Sequence, residues 1–142
     1  MKPHTQDITR LVVHHSATSV DDTTVDDIRK WHVIDNGWDA IGYHWVITGL
    51  GILHYTRPIT MQGAHAKGFN NGSLGVCLIG NNEEQENRWR REQLYALHSL
   101  WLAISRVIKD LDVYGHRDIT DRTVCPGIDI RPLLLGPRYQ EV

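Results

Sequence analysis

The chain has 142 residues, 41% of them hydrophobic, and its 15 basic and 17 acidic side chains leave a formal net charge of −2. That length supports one domain with a real core, while the balanced charge argues against a nucleic-acid partner, which selects a basic face. Two cysteines are too few for a disulfide scaffold. The polar opening MKPHTQDITR lacks the apolar centre of an export signal, and no apolar run is long enough to span a bilayer. Cytoplasmic synthesis with no membrane partner is therefore expected.

RLVVHH, residues 10–15, reads as a short buried strand because it is apolar and rich in β-branched residues. The loop TSVDDTT leads to Thr24, and Asp27 three residues on makes a Thr/Asp variant of the capping box that opens a helix. Val25, Ile28, Trp31 and His32 fall near one face of that helix, and Asn36-Gly37 reads as its stop. YHWVITGLGILHYTR, from Tyr43, reads as two strands joined by a tight Gly49-Leu50-Gly51 turn. SLGVCLIG, from Ser73, is a continuous apolar strand of the kind buried on both faces.

From Arg91 to Leu111 the residues Leu94, Leu97, Trp101, Ile104, Ile108 and Leu111 step by threes and fours. This spacing predicts a long helix with one apolar stripe, packed on a sheet and too short for a coiled coil. Val113-Tyr114 fits a last short strand, and Asp129–Leu135 a closing helix with Pro132 tolerated in its first turn. No repeat, low-complexity tract or linker divides the chain. Strands alternating with helices, plus one hairpin, predict a single α/β domain over 1–142, a central mixed β-sheet flanked by helices.

Nine histidines are many for this length, and two of them, His14 and His15, stand side by side. Strand side chains alternate faces, so His14 lies with Val12 while His15 lies with Leu11 and Val13. The two rings cannot share one metal. Possible partners come from YGHRDITDRTVCPG, where His116 and Cys125 sit nine positions apart. A catalytic zinc takes three protein ligands and leaves a fourth position for water. Spacing alone leaves two readings open: metal ligands, or unrelated structural positions.

Four segments occur in order from about Leu11 to about Leu133: VVHHSAT; IRKWH with NGWDAIGYHWVI; HAKGFNNGSLGVCLIG; and GHRDITDRTVCPG. Together they resemble the type-2 family of zinc-dependent N-acetylmuramoyl-L-alanine amidases, which includes phage lysozymes that are amidases and animal peptidoglycan-recognition proteins. The resemblance implies one Zn2+ per chain on His14, His116 and Cys125, and peptidoglycan as substrate. It implies that Tyr43 faces the reacting water and the developing oxyanion, a role open to a phenol that stays protonated at neutral pH. Thr123 stands where some phage amidases have lysine. A threonine can donate a hydrogen bond but cannot supply charge, so it is expected to orient a group rather than shuttle a proton. His65 matches a histidine at the substrate cleft and is a candidate to protonate the leaving amine, and Asn70 is a candidate for contact with the glycopeptide.

Each role has a plainer counterpart. Tyr43 can pack at a strand start with its hydroxyl in water, His65 can be a loop histidine, and Asn-Asn and Asn-Gly pairs make turns. His15, His32 and His44 suit satisfied structural hydrogen bonds, His98 sits beside the helical stripe, His54 in the hairpin and His4 in a polar tail. Cys77 reads as a small buried hydrophobe, with a Cys77–Cys125 disulfide as the competing idea. The expected activity is zinc-assisted hydrolysis of the bond between the muramyl lactyl group and L-alanine. The alternative from another class is a module that binds peptidoglycan without cutting it. A phage or prophage endolysin, released through a pore made by another protein, reconciles cytoplasmic synthesis with an external substrate. A monomer is expected; whether a polymerase or other protein is a partner is not legible in the sequence.

Overall fold

In the computed structural model, which describes residues 1–136, the expected mixed sheet is present and has five strands. They are β1 (Arg10–His15), β2 (Trp45–Ile47), β3 (Leu53–Tyr55), β4 (Ser73–Leu78) and β5 (Asp112–Gly115), in the order β3-β2-β4-β1-β5. β1 pairs in parallel with β4 and β5, β4 in parallel with β2, and β2 pairs antiparallel with β3 in the hairpin. The central strands β1 and β4 are almost continuously apolar because both of their faces are covered. The helices are α1 (Val25–Arg29), α2 (Arg91–Val107), α3 (His116–Ile119) and α4 (Ile130–Leu135). The last six residues of the expected 1–142 domain lie outside the described residues.

One face of the sheet buries Leu11, Val13, Trp45, Ile47, Leu74, Val76, Leu78 and Val113 against Leu97, Leu100 and Trp101 of α2, with Ile130 and Leu134 of α4. The opposite face carries Val46 and packs a smaller cluster with Val25, Ile28, Ile41 and Ile79. Burying side chains of this size contributes about 1.5–3 kcal/mol each before chain entropy is counted. The β1 alternation therefore separates a core face from a second face, and His14 lies on the second.

The Thr24 capping box forms as the sequence predicts: Asp27 N donates to Thr24 Oγ1 at 3.1 Å, and Thr24 N to Asp27 Oδ2 at 2.9 Å. The helix then loosens into a π-helical turn over Lys30–Asp35, so Val25 and Ile28 are buried while Trp31 is turned outward. The long helix ends at Val107 rather than Leu111: Ile108 is already extended and Asp110 takes a left-handed conformation at φ 61°. Ile108 and Leu111 still pack on the core, which explains why the apolar spacing outruns the helix. The hairpin strand begins at Trp45, leaving Tyr43 and His44 in the preceding segment, and Gly51 closes the turn at φ 82°. His4, expected in a polar tail, is docked instead. Its Nδ1 accepts from Gly72 N at 3.0 Å, its own N–H donates to Thr60 O, and its ring stacks on His44.

Candidate metal centre and cleft

Parallel pairing brings the site together at the carboxyl ends of the central strands, where open parallel sheets place their ligands. Val13 is paired with Gly115, so the next residues, His14 on β1 and His116 at the start of α3, emerge side by side with ring centroids 4.6 Å apart. The turn into α3 is fixed by Gly115 N donating to Asp118 Oδ2 at 2.7 Å. Cys125 arrives from the following loop, held where Arg117 N donates to Cys125 O at 2.7 Å. The ligand atoms of His14, His116 and Cys125 all lie within 4.8 Å of one another.

The donor set fits a tetrahedral metal. A zinc ion with ordinary bond lengths holds a thiolate sulfur and an imidazole nitrogen about 3.5 Å apart, and His14 Nδ1 is 3.8 Å from Cys125 Sγ. His14 is 2% exposed, while His116 and Cys125 are partly exposed, so the cluster is dry on one side and open on the other. Burial, then the neighbouring imidazoles of His65, His116 and His15, holds the His14 imidazole well below its ordinary pKa, and burial depresses His116 too. Both shifts favour the neutral ring, the form that binds a metal. Burial pushes the Cys125 thiol up to about 11, opposed by a hydrogen bond from the His15 backbone. Cys77 and Cys125 are both free, so the competing disulfide is absent.

Tyr43 lies against this cluster, its ring 5.1 Å from that of His14 and 5.6 Å from that of His32. Burial, then the thiols of Cys77 and Cys125, raises its pKa well above the ordinary phenol value. Cys77, the β4 partner of His14 in register, is fully buried, as expected of a small hydrophobe. Thr123 Oγ1 accepts from Cys125 N at 3.1 Å and lines the open side. Asn70 Oδ1 accepts from both His65 N and Ala66 N at 2.9 Å, which staples the loop that forms one wall. His65 lines the same wall, with its Nδ1 2.9 Å from His14 Nε2.

Two further residues, Asn82 and His32, support the site. Asn82 is 6% exposed and fully engaged: Nδ2 donates to Pro126 O at 2.8 Å, and Oδ1 accepts from Trp89 N at 3.0 Å. It ties the Cys125 loop to the segment before α2. His32 Nδ1 accepts from Gly42 N at 2.9 Å and its ring packs on Trp38, which fixes the approach to Tyr43. The Asn82 contact to Pro126 joins residues 44 positions apart and has no local sequence signature, whereas His32 takes the structural hydrogen bond expected of it.

His116 of the cluster also lines a cleft of about 760 Å³, together with Trp38, residues 64–70, Thr120, Arg122 and Thr123. Lys67 and Arg122 are its charged lining residues, and both are cations. No helix among the described residues is long and apolar enough to cross a membrane.

The family described as N-acetylmuramoyl-L-alanine amidase matches residues 4–128. An endolysin of Klebsiella phage KP32 is 32% identical over 130 residues, covering 89% of this chain and 85% of the phage protein. Peptidoglycan-recognition protein SC2 of Drosophila melanogaster is 32% identical over 128 residues, covering 84% and 68% of the two chains. Among solved structures, the N-acetylmuramoyl-L-alanine amidase LysC from Clostridium intestinale URNW superposes with a TM-score of 0.79 at 28% identity, covering 96% of this chain and 87% of that one.

Proposed function

The chain belongs to the N-acetylmuramoyl-L-alanine amidase family, and on that footing we propose that it hydrolyses the amide between the muramyl lactyl carbonyl and the L-alanine amine of peptidoglycan, using one zinc ion on His14, His116 and Cys125. The observation that carries this reading is the convergence of two imidazoles and a thiol beside a cleft that His116 lines. When bound there, zinc supplies Lewis-acid polarisation of the carbonyl and activates the attacking water. A module that only binds peptidoglycan needs no thiolate, so the presence of Cys125 beside both histidines favours the enzyme.

The chain's own residues carry the remaining tasks. Tyr43, kept protonated by its raised pKa, donates toward the oxyanion that develops on the scissile carbonyl. Thr123 accepts from the Cys125 backbone and keeps its hydroxyl proton to orient the carbonyl or the leaving amine. The amine takes its proton from water in the open cleft. Lys67 and Arg122 suit the carboxylates of a stem peptide, and Trp38 offers a flat face to a sugar ring. Asn70 shapes the wall against which the glycopeptide rests.

The enzyme works as a monomer and follows the route of a phage or prophage endolysin: synthesis inside the cell, then release through a pore formed by another protein. Zinc-loaded protein added to purified peptidoglycan is expected to release new amino groups, and chelation to abolish that release. Tight retention on peptidoglycan with no amine released, at full zinc occupancy, overturns the proposal in favour of the binding module.

A further inference from the structure

The contact between His14 and His65 constrains which nitrogen of His14 is free. Its Nε2 lies 2.9 Å from His65 Nδ1, and its Nδ1 faces Cys125 Sγ. A neutral imidazole carries one proton. If Nδ1 is to offer a lone pair to a metal, Nε2 must hold the proton, and His65 Nδ1 must accept it. His65 then carries its own proton on Nε2, a buried atom with no hydrogen-bond partner.

The fold invests in that ring position. A Cβ placed on Gly75 meets the His65 ring at 2.6 Å, and one on Gly63 meets it at 2.5 Å. Two glycines therefore cradle the imidazole, and any larger side chain at either place displaces it. Gly75 is itself fixed on both sides by His44, whose Nδ1 accepts from Gly75 N at 3.0 Å and whose N–H donates to Gly75 O at 2.9 Å. Asn70 secures the His65 backbone. With Nδ1 engaged and Nε2 buried, neither ring nitrogen is open to substrate, so the proton-donor role expected of His65 gives way to another.

We propose that His65 is a positioning residue that accepts the Nε2–H of His14 and so fixes the tautomer and ring plane presenting His14 Nδ1 to the metal. This rests on the metal-site reading above. It assigns His65 to the outer partners that orient ligating histidines, whose loss typically lowers metal affinity 10–100-fold.

The test compares zinc affinity, by competition with a chromophoric chelator, in the parent protein, His65→Leu and His65→Asn. Leucine removes the acceptor, whereas the asparagine carbonyl replaces Nδ1. The expected result is a 10–100-fold loss for His65→Leu, and affinity within about fivefold of the parent for His65→Asn. Leucine within twofold of the parent, or asparagine as weak as leucine, overturns the proposal. Nitrogen-15 spectra of the zinc-loaded parent give a readout that needs no variant. They should show the proton on Nε2 of both His14 and His65; a proton on His65 Nδ1 overturns it. A parent that binds no zinc at all overturns the metal-site reading as well, which separates the two failures.

Discussion

The backbone N–H of His15 donates to Cys125 Sγ at 3.3 Å, while the His15 ring turns the other way and accepts from Asn82 N through Nδ1 at 3.2 Å. The second histidine of the doublet thus serves the candidate metal centre through its main chain, and its side chain serves the neighbouring loop. The two positions should respond differently to truncation. His14→Ala is expected to lose zinc and activity. His15→Ala keeps the N–H donor and should keep zinc, with a stability loss of about 1–3 kcal/mol from the unsatisfied Asn82 N–H. Metal content and urea unfolding of the two variants check this; equal zinc loss in both contradicts it.

Tyr43→Phe keeps all three proposed ligands and removes the hydroxyl proposed to donate to the reacting carbonyl. Loss of one such donor typically costs about 10²–10³-fold in turnover. The expected outcome is that loss in kcat with zinc content unchanged. Steady-state kinetics on a soluble muramyl peptide measures it, and an unchanged kcat removes Tyr43 from the chemistry.

His44 couples stability to pH. Its ring is fully buried, its Nδ1 accepts from Gly75 N and its Nε2 donates to Met61 O at 2.7 Å. Burial lowers its pKa from 6.5 to about 4. The unfolded chain therefore binds the proton first as pH falls, so this contribution is intact above about pH 6.5 and is lost progressively down to about pH 4. At about 1.4 kcal/mol per pKa unit, the loss approaches 3 kcal/mol. Thermal melts of metal-free protein from pH 8 to pH 4 should show it, with a smaller decline in His44→Gln. Parent stability that is flat across that window contradicts the assignment.

Arg122 and Lys67 both line the cleft, and neither is a proposed ligand. Arg122→Ala is expected to raise KM several-fold on an anionic stem peptide while kcat stays within about twofold, the pattern of lost ground-state binding. Added salt should weaken the parent more than the variant. Equal KM values in the two proteins would exclude Arg122 from substrate recognition.

The features legible in the sequence are those set by local periodicity. The alternation of LVVHH assigned His14 and His15 to opposite faces, Thr24 and Asp27 announced a helix start, and the stripe of α2 announced its packing face. The apolar spacing continued through Ile108 and Leu111 after the helix itself had ended, because burial and helicity part company at the left-handed Asp110. The three proposed ligands were legible only through the order of the motifs, since His14 and Cys125 are 111 positions apart. The contacts that hold them were not legible at all. His65 on His14 and Asn82 on Pro126 depend on which loops the sheet brings together, and no spacing rule encodes that.

The most direct measurement of the central claim is mass spectrometry of purified peptidoglycan digested by zinc-loaded protein, with Cys125→Ser alongside. The account predicts stem peptides with new L-alanine amino termini and glycan with free lactyl carboxyls, both absent from the Cys125→Ser digest. New reducing sugar ends, cleavage within the stem peptide, or full activity of metal-free Cys125→Ser would contradict it.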